Sequence, residues 1–292
     1  MSSLTHKTPK VGLALSGGAA RGLAQIGVLK ALEEESIPID IIAGTSMGAF
    51  VGAGYAKERK ASILEEMALR VDWKKQARLV DPNLLLLQKG FVQGRKVKSF
   101  LSSLIGDVKF EDLGIPFAVV ATDFETMEHI VISEGSVIEA VRASISMPVL
   151  FTPVEWKGRI LIDGGVVNPM PVDVVRNLGA EVVIAVNTLF VGQQENSKGT
   201  ANEEVKSKPN SHTERGKMNP HTPNILDVLM KSIHAMEYEI VRLAAESADI
   251  VIRPDVSHIE TLEFYKGEEA ISRGYKATKD VLPRIQEIIL CP

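Results

Sequence analysis

Short, wholly apolar runs alternate with helical patterns from the start of the chain. Val11-Gly12-Leu13-Ala14-Leu15 is uniformly apolar and ends at Gly17-Gly18, the pattern of a strand buried on both faces. From about Ala20 to Glu35, Leu23, Ile26, Val28, Leu29 and Leu32 recur at helical spacing, and Ser36 and Pro38 stop that pattern. Ile39 to Ala43 repeats the apolar run, Gly44 to Gly48 reads as a turn, and Ala49 to Lys57 opens a second helix. Strand, helix, strand and helix in quick succession predict a βαβ unit and a parallel sheet with right-handed crossovers.

The middle of the chain is less regular. Helices are predicted over Ala61 to Val71, Gly94 to Ile105, Ser136 to Ser144 and Pro171 to Leu178. Strands are predicted over Phe117 to Thr122, His129 to Ser133, Arg159 to Ile162 and Val182 to Asn187. Between the first two of those helices, Asp81-Pro82-Asn83 precedes four consecutive leucines, Leu84 to Leu87. Val191 to Pro223 is rich in Gly, Ser, Asn, Gln, Lys and Glu and nearly devoid of aliphatic residues. Such a stretch cannot bury enough apolar surface to offset its ordering entropy, so it predicts a mobile polar excursion. Strand and helix patterns resume after it: Asn224 to Ala248 helix, Ile250 to Arg253 strand, Lys266 to Leu290 helix.

Composition narrows the class. With 292 residues, the chain can bury a sizeable core. A hydrophobic content of 45% and a charged content of 24% are ordinary for a globular protein. The net charge of −4 gives no global attraction to nucleic acid. Cys291 is the single cysteine and cannot form an internal disulfide. Met1 to Lys10 lacks the apolar core of a secretory signal, and no run of apolar residues is long enough to span a bilayer. The expectation is a cytoplasmic protein, with peripheral membrane contact left open.

Three short motifs carry chemistry. Gly44-Thr45-Ser46-Met47-Gly48 fits the Gly-x-Ser-x-Gly nucleophile elbow, in which a serine sits on a sharp strand-to-helix turn flanked by small residues. The pentapeptide alone also fits a serine that caps a helix, but here an apolar strand precedes it and a helix follows. Ser16-Gly17-Gly18-Ala19-Ala20-Arg21-Gly22 follows the first strand and opens the first helix. Its main-chain N–H groups can form an anion-binding concavity, either for a pyrophosphate or for the oxyanion of an acyl-transfer intermediate. The nucleotide reading needs an acidic residue at the end of the second strand, where the chain instead reads Ala43-Gly44-Thr45-Ser46. The loop also lacks the lysine of a Walker motif, so the oxyanion reading leads. Arg21 either adds positive charge to that loop or serves as a cap or surface residue. Asp163-Gly164-Gly165 ends a predicted strand, and its glycines allow a carboxylate to approach another loop closely, although the tripeptide also fits a plain turn.

A serine with an aspartate as its base needs no histidine. Of the six histidines, His6, His212 and His221 lie in polar segments, His129 begins a strand, His234 is in a helix and His258 follows a loop. A Ser, Asp, His order would make His234 or His258 the base, and the loop that holds His258 has no other triad feature. No pair of side chains has convincing metal spacing, and no cofactor is expected.

In this order, Gly17 to Gly22, Gly44 to Gly48 and Asp163 to Gly165 resemble the patatin-like phospholipase family, particularly bacterial members similar to the neuropathy target esterase catalytic domain. Ala143-Ser144-Ile145-Ser146-Met147-Pro148 and the run from Asp163 to Pro171 are similar as well. The resemblance runs from about Lys10 to Asn187, is expected to extend through the terminal helices, and implies an α/β fold, a three-layer α/β/α with a mainly parallel central sheet. It implies one hydrolase domain over 1–292, with a polar insertion at about 191–223. It implies hydrolysis of fatty-acyl esters, often of phospholipids or lysophospholipids, by a Ser46–Asp163 dyad. Main-chain donors around Gly17, Gly18 and Ala19, with Arg21 beside them, would form the oxyanion hole, and Gly44 and Gly48 would frame the elbow. The family loop usually has a third glycine where this chain has Ala19, which would be strained if the position requires positive φ. Leu84 to Leu87 and Phe91 would line an acyl slot, touch a membrane, or simply fill core, the commoner state of leucine. A regulatory scaffold that keeps the fold to bind a protein partner is the alternative.

Overall fold

The computed structural model describes residues 8–71, 94–189 and 225–290. Its strands are β1 (Val11–Leu15), β2 (Ile41–Thr45), β3 (Phe117–Asp123), β4 (His129–Ile132), β5 (Val154–Trp156), β6 (Arg159–Asp163), β7 (Val182–Val186) and β8 (Ile250–Ile252). Its α-helices are α1 (Ala24–Glu34), α2 (Met47–Glu58), α3 (Ala61–Arg70), α4 (Gly94–Ile105), α5 (Val137–Ser144), α6 (Val172–Asn177), α7 (Ile225–Ala244) and α8 (Gly267–Leu290).

The strands form one sheet in the order β5-β6-β3-β2-β1-β7-β8, with β4 paired to β3. From β8 to β3 every pairing is parallel, as the apolar strand-helix alternation predicts. Beyond β3 the pairings with β4 and β6, and of β6 with β5, are antiparallel. Helices cover both faces. On one face, Val11, Leu13, Leu15, Ile42, Val119 and Ile184 pack under α1, α2, α3, α5 and α8. On the other, Ala14, Ala43, Ala118 and Ala185 meet Val172, Val174 and Val175 of α6 and Val241 of α7. The strand residues alternate large and small between the two faces because side chains alternate along a strand. The small-residue face lets α6 and α7 lie close to the sheet.

Several boundaries differ from expectation. β2 extends to Thr45 and α2 starts at Met47, so the expected Gly44 to Gly48 turn shrinks to Ser46. A short 3-10 turn, Ala19–Leu23, precedes α1 where a continuous helix was expected. α7, expected over Asn224 to Ala248, ends at Ala244 and is followed by a 3-10 turn over Ala245–Ser247. β5 was not foreseen. The leucines 84–87, Phe91 and the polar stretch 191–223 lie outside the described residues.

Candidate active site

The register of β3 explains how two distant motifs meet. Thr45 of β2 lies opposite Val120, and Asp163 of β6 lies opposite Ala121. β4 occupies the other edge of β3, from Val119 to Thr122. β2 and β6 therefore share one edge. One runs parallel to β3 and the other antiparallel, so their C-terminal ends meet head on. Ser46 Oγ donates a 2.8 Å hydrogen bond to Asp163 Oδ2 across 117 residues of sequence. Both side chains are buried, Ser46 at 7% and Asp163 at 3% exposure.

Ser46 alone absorbs the strand-to-helix reversal, with φ 53° and ψ −118°. That is an unfavourable region for a residue with a side chain, so the surroundings must hold it. Its N–H donates to Ser144 Oγ at 2.8 Å, and Ser144 Oγ in turn donates to Val120 O at 2.6 Å. Thr45 Oγ1 donates to Asn168 O at 2.8 Å. A side chain on Gly44 would strike the backbone of Gly48 and Ala49, and one on Gly48 would strike that of Leu15 and Ser16. The two glycines thus allow α2 to start tight against β1 and β2, which leaves its N-terminus beside Ser46.

The glycine-rich loop lies at the end of neighbouring β1. Gly17 N–H donates to Pro169 O at 2.9 Å, so this N–H is committed to holding the loop and does not point to the site as expected. The N–H groups of Gly18 and Ala19 meet no acceptor among the described residues. Gly18 has φ 133° and Ala19 has φ 46°, so the alanine does sit in the left-handed region that glycine favours. Arg21 Nε donates to Ile259 O at 2.6 Å, which ties the loop to the segment before α8. Burial lowers the Arg21 pKa, and the nearby Glu260 and Glu237 counter that effect.

Residues 13–176 match the family model for patatin-like phospholipases. The chain belongs to the patatin-like phospholipase family. It is 32% identical over 285 residues to patatin-like phospholipase domain-containing protein 6 of Homo sapiens, covering 93% of this chain and 20% of that protein. It is 38% identical over 194 residues to neuropathy target esterase sws of Drosophila melanogaster, covering 64% of this chain and 13% of that protein. Lysophospholipase NTE1 of Kluyveromyces lactis is 31% identical over 285 residues, or 95% of this chain and 19% of that protein. The chain thus spans a fifth or less of these relatives. Among solved structures, VipD from Legionella pneumophila shares the fold, with a TM-score of 0.51 at 13% identity, over 95% of this chain and 67% of that one.

Within this patatin-like site, burial pushes the Asp163 carboxyl up to about 6, against the opposing bonds it accepts from Gly165 N–H and Ser46. Gly165 N–H donates to Asp163 Oδ1 at 2.7 Å, while Asp163 N–H donates to Ser146 O at 3.0 Å and Thr122 Oγ1 to Asp163 O at 2.9 Å. The carboxylate is thus fixed from its main chain and from its side chain. Burial makes it a stronger base than a solvated aspartate.

The histidines stand apart from this contact. His258 Nε2 bonds Glu269 Oε1 at 2.7 Å, and His234 lies beside Arg21 and Glu260. Among the described residues, no group of three or more His, Cys, Asp or Glu could hold a metal ion, and no helix is long and apolar enough to cross a membrane.

The roles of two residues, Ser144 and Glu237, are not evident from the sequence. Ser144 ends a helix already recognised as an element, and nothing local marks its hydroxyl as the acceptor for Ser46. Glu237 sits on α7 next to Asp163 and Arg21, and burial and the Asp163 charge push its carboxyl up to about 8. Its signal was present: with His234 and Val241 it falls on one helical stripe, and Val241 of that stripe is buried against the sheet.

Proposed function

We propose that this chain is a serine acyl-hydrolase that cleaves fatty-acyl esters, phospholipids or lysophospholipids, through Ser46 and Asp163. The observation that carries the reading is the 2.8 Å bond from Ser46 Oγ to Asp163 Oδ2 at the start of α2. Asp163 takes the Ser46 proton as Oγ attacks the ester carbonyl, and the carbonyl electron pair moves onto its oxygen. The N–H groups of Gly18 and Ala19 receive that oxyanion, and each such donor contributes roughly 3–4 kcal/mol to the transition state. Collapse breaks the ester C–O bond, and the departing alkoxide takes the proton from Asp163. Water then attacks the acyl-enzyme, with Asp163 again the base.

The lipid substrate is supported by the relatives, which are named phospholipases and a lysophospholipase. Leu229, Met236 and Leu243 are exposed and seven residues apart on α7, an apolar stripe that supports peripheral contact with a lipid surface. All these parts lie in one hydrolase unit and require no metal or organic cofactor.

Labelling with a fluorophosphonate tests the reading. The wild-type chain is expected to be labelled at Ser46, and Ser46→Ala is expected to be silent. A folded wild-type protein that takes no label and releases no fatty acid from lysophospholipid would overturn the proposal in favour of a binding role.

A further inference from the structure

One half-buried carboxyl near the dyad, Glu237, has no task in the scheme above. Glu237 reaches from α7 across Gly165. A methyl group built on Gly165 would sit 2.6 Å from Glu237 Oε1 and 3.1 Å from Asp163 Oδ1. Both oxygens therefore rest over the same Cα. They are at most about 6 Å apart, the range in which like charges oppose each other's ionisation. Oδ1 is the Asp163 oxygen that Ser46 does not use. Glu237 thus approaches the dyad from behind, and the missing side chain at position 165 is what admits it.

The other groups around Glu237 sharpen its situation. Arg21, from the glycine-rich loop, is the nearby cation, and it is anchored to Ile259 O. Glu260 and His234 lie around Arg21, and burial and Arg21 disfavour the charged form of His234. Glu237 accepts no hydrogen bond from the described residues. A half-buried carboxyl without a donor, beside an ionised aspartate, is more stable with its proton than without it.

We propose that Glu237 is a positioning residue that forms, with Asp163, a carboxyl pair carrying one proton between them. Glu237 keeps that proton, and Asp163 stays ionised and able to accept the proton of Ser46. The proposal rests on the hydrolase reading. Its charge balance is simple. When Asp163 takes the Ser46 proton and the ester oxygen becomes an oxyanion, the site still carries one negative charge. The proton passes from Asp163 to the leaving alkoxide, and Glu237 never releases its own. An ionised Glu237 would place a second negative charge beside the forming oxyanion and oppose it. Glu237 loses its proton as pH rises through about 8, so activity is expected to fall there. Asp163 gains one as pH falls through about 6, which sets the acid side.

The test is the pH profile of kcat/KM on a soluble fatty-acyl ester, for the full chain and for Glu237→Gln. The wild type is expected to fall on both sides. Glu237→Gln, whose side chain is always neutral, is expected to keep the acid limb and lose the alkaline one. Relative to each protein's value at pH 7, it should exceed the wild type about tenfold at about pH 9. A variant that is slower by the same factor at every pH, or that keeps the alkaline limb, overturns the proposal. Should Glu237→Gln fold poorly, the wild type alone decides. Its infrared spectrum should lose one protonated-carboxyl band between pH 7 and pH 9, and no such loss refutes the pair. Failure of the hydrolase reading looks different, as no Ser46-dependent turnover at any pH, and the infrared measurement then still judges the pair.

Discussion

The nucleophile elbow and the glycine-rich loop are neighbours built on opposite plans. Both follow parallel strands, and both hold one non-glycine residue at positive φ, Ser46 at 53° and Ala19 at 46°. In the elbow the backbone is tied down: Ser46 N–H is held by Ser144, and glycines admit α2 against the strand ends. What it offers is a side chain. In the loop the reverse holds. Ser16 Oγ accepts from Thr188 N–H at 3.0 Å, Gly17 is held through both its N–H and its C=O, and Arg21 is anchored to Ile259. What it offers is main chain, at Gly18 and Ala19. A hydroxyl nucleophile needs one defined rotamer, whereas an oxyanion needs several fixed donors, and each region is rigid where the other is open.

The largest test of this contrast lies on the elbow side. Asp163→Asn is expected to lower kcat about 10³-fold by removing the base. The same change should stabilise the fold. Burial raises the Asp163 pKa from 3.8 to about 6, so the folded state favours the protonated form. The stability linked to that proton is present below the unfolded value and lost as pH rises through about 6. Asparagine removes the loss, a gain of roughly 1–3 kcal/mol at pH 7 that vanishes near pH 4. Denaturant unfolding at both pH values checks this, and a destabilised variant at pH 7 would count against it.

Next comes Ser144→Ala, which orphans the buried Ser46 N–H. It is expected to cost roughly 1–3 kcal/mol of stability. It should also lower kcat about 10-fold or more, through a displaced nucleophile. Unchanged turnover would mean that the elbow holds itself. The wild type should lose kcat/KM about tenfold per pH unit below about 6, as Asp163 takes up a proton. The smallest effect belongs to the loop. Ala19→Gly relieves strain of about 1 kcal/mol but adds about 0.4–1 kcal/mol of chain entropy in the unfolded state. Stability should hardly move, and turnover should change by less than about threefold. A large rise in turnover would show that the loop, and not the elbow, limits the chemistry.

Much of this could be read along the chain because the signals are local. Apolar runs of strand length and helical repeats gave the parallel half of the sheet, and the glycines around Ser46 marked the elbow. The antiparallel half was harder, since the direction of pairing depends on distant partners. β5 has only three residues, and Lys157 and Gly158, at φ 47° and 77°, form the two-residue turn that joins it to β6. Lysine is not among the residues that favour the first position of such a turn, so the dipeptide does not announce the hairpin. The positive φ at Ala19 depended on a loop path that no single residue declares. Gly17 reads as a donor in sequence because its neighbour Pro169 is remote in the chain. Glu237 follows the stretch 191–223, far from any motif, and only the fold brings it to Gly165.

Because Val120 and Ala121 are consecutive, the strands that bring Ser46 and Asp163 together dock on adjacent links of a single strand. A one-residue slip of β6 would carry Asp163 about 3.3 Å along β3 and turn its side chain to the opposite face. If the two act as proposed, turnover is a gauge of strand alignment. On the proposed mechanism, no ribosome-bound fragment that stops short of β6 is active during synthesis, and the first catalytic event certifies that this part of the sheet has closed in register.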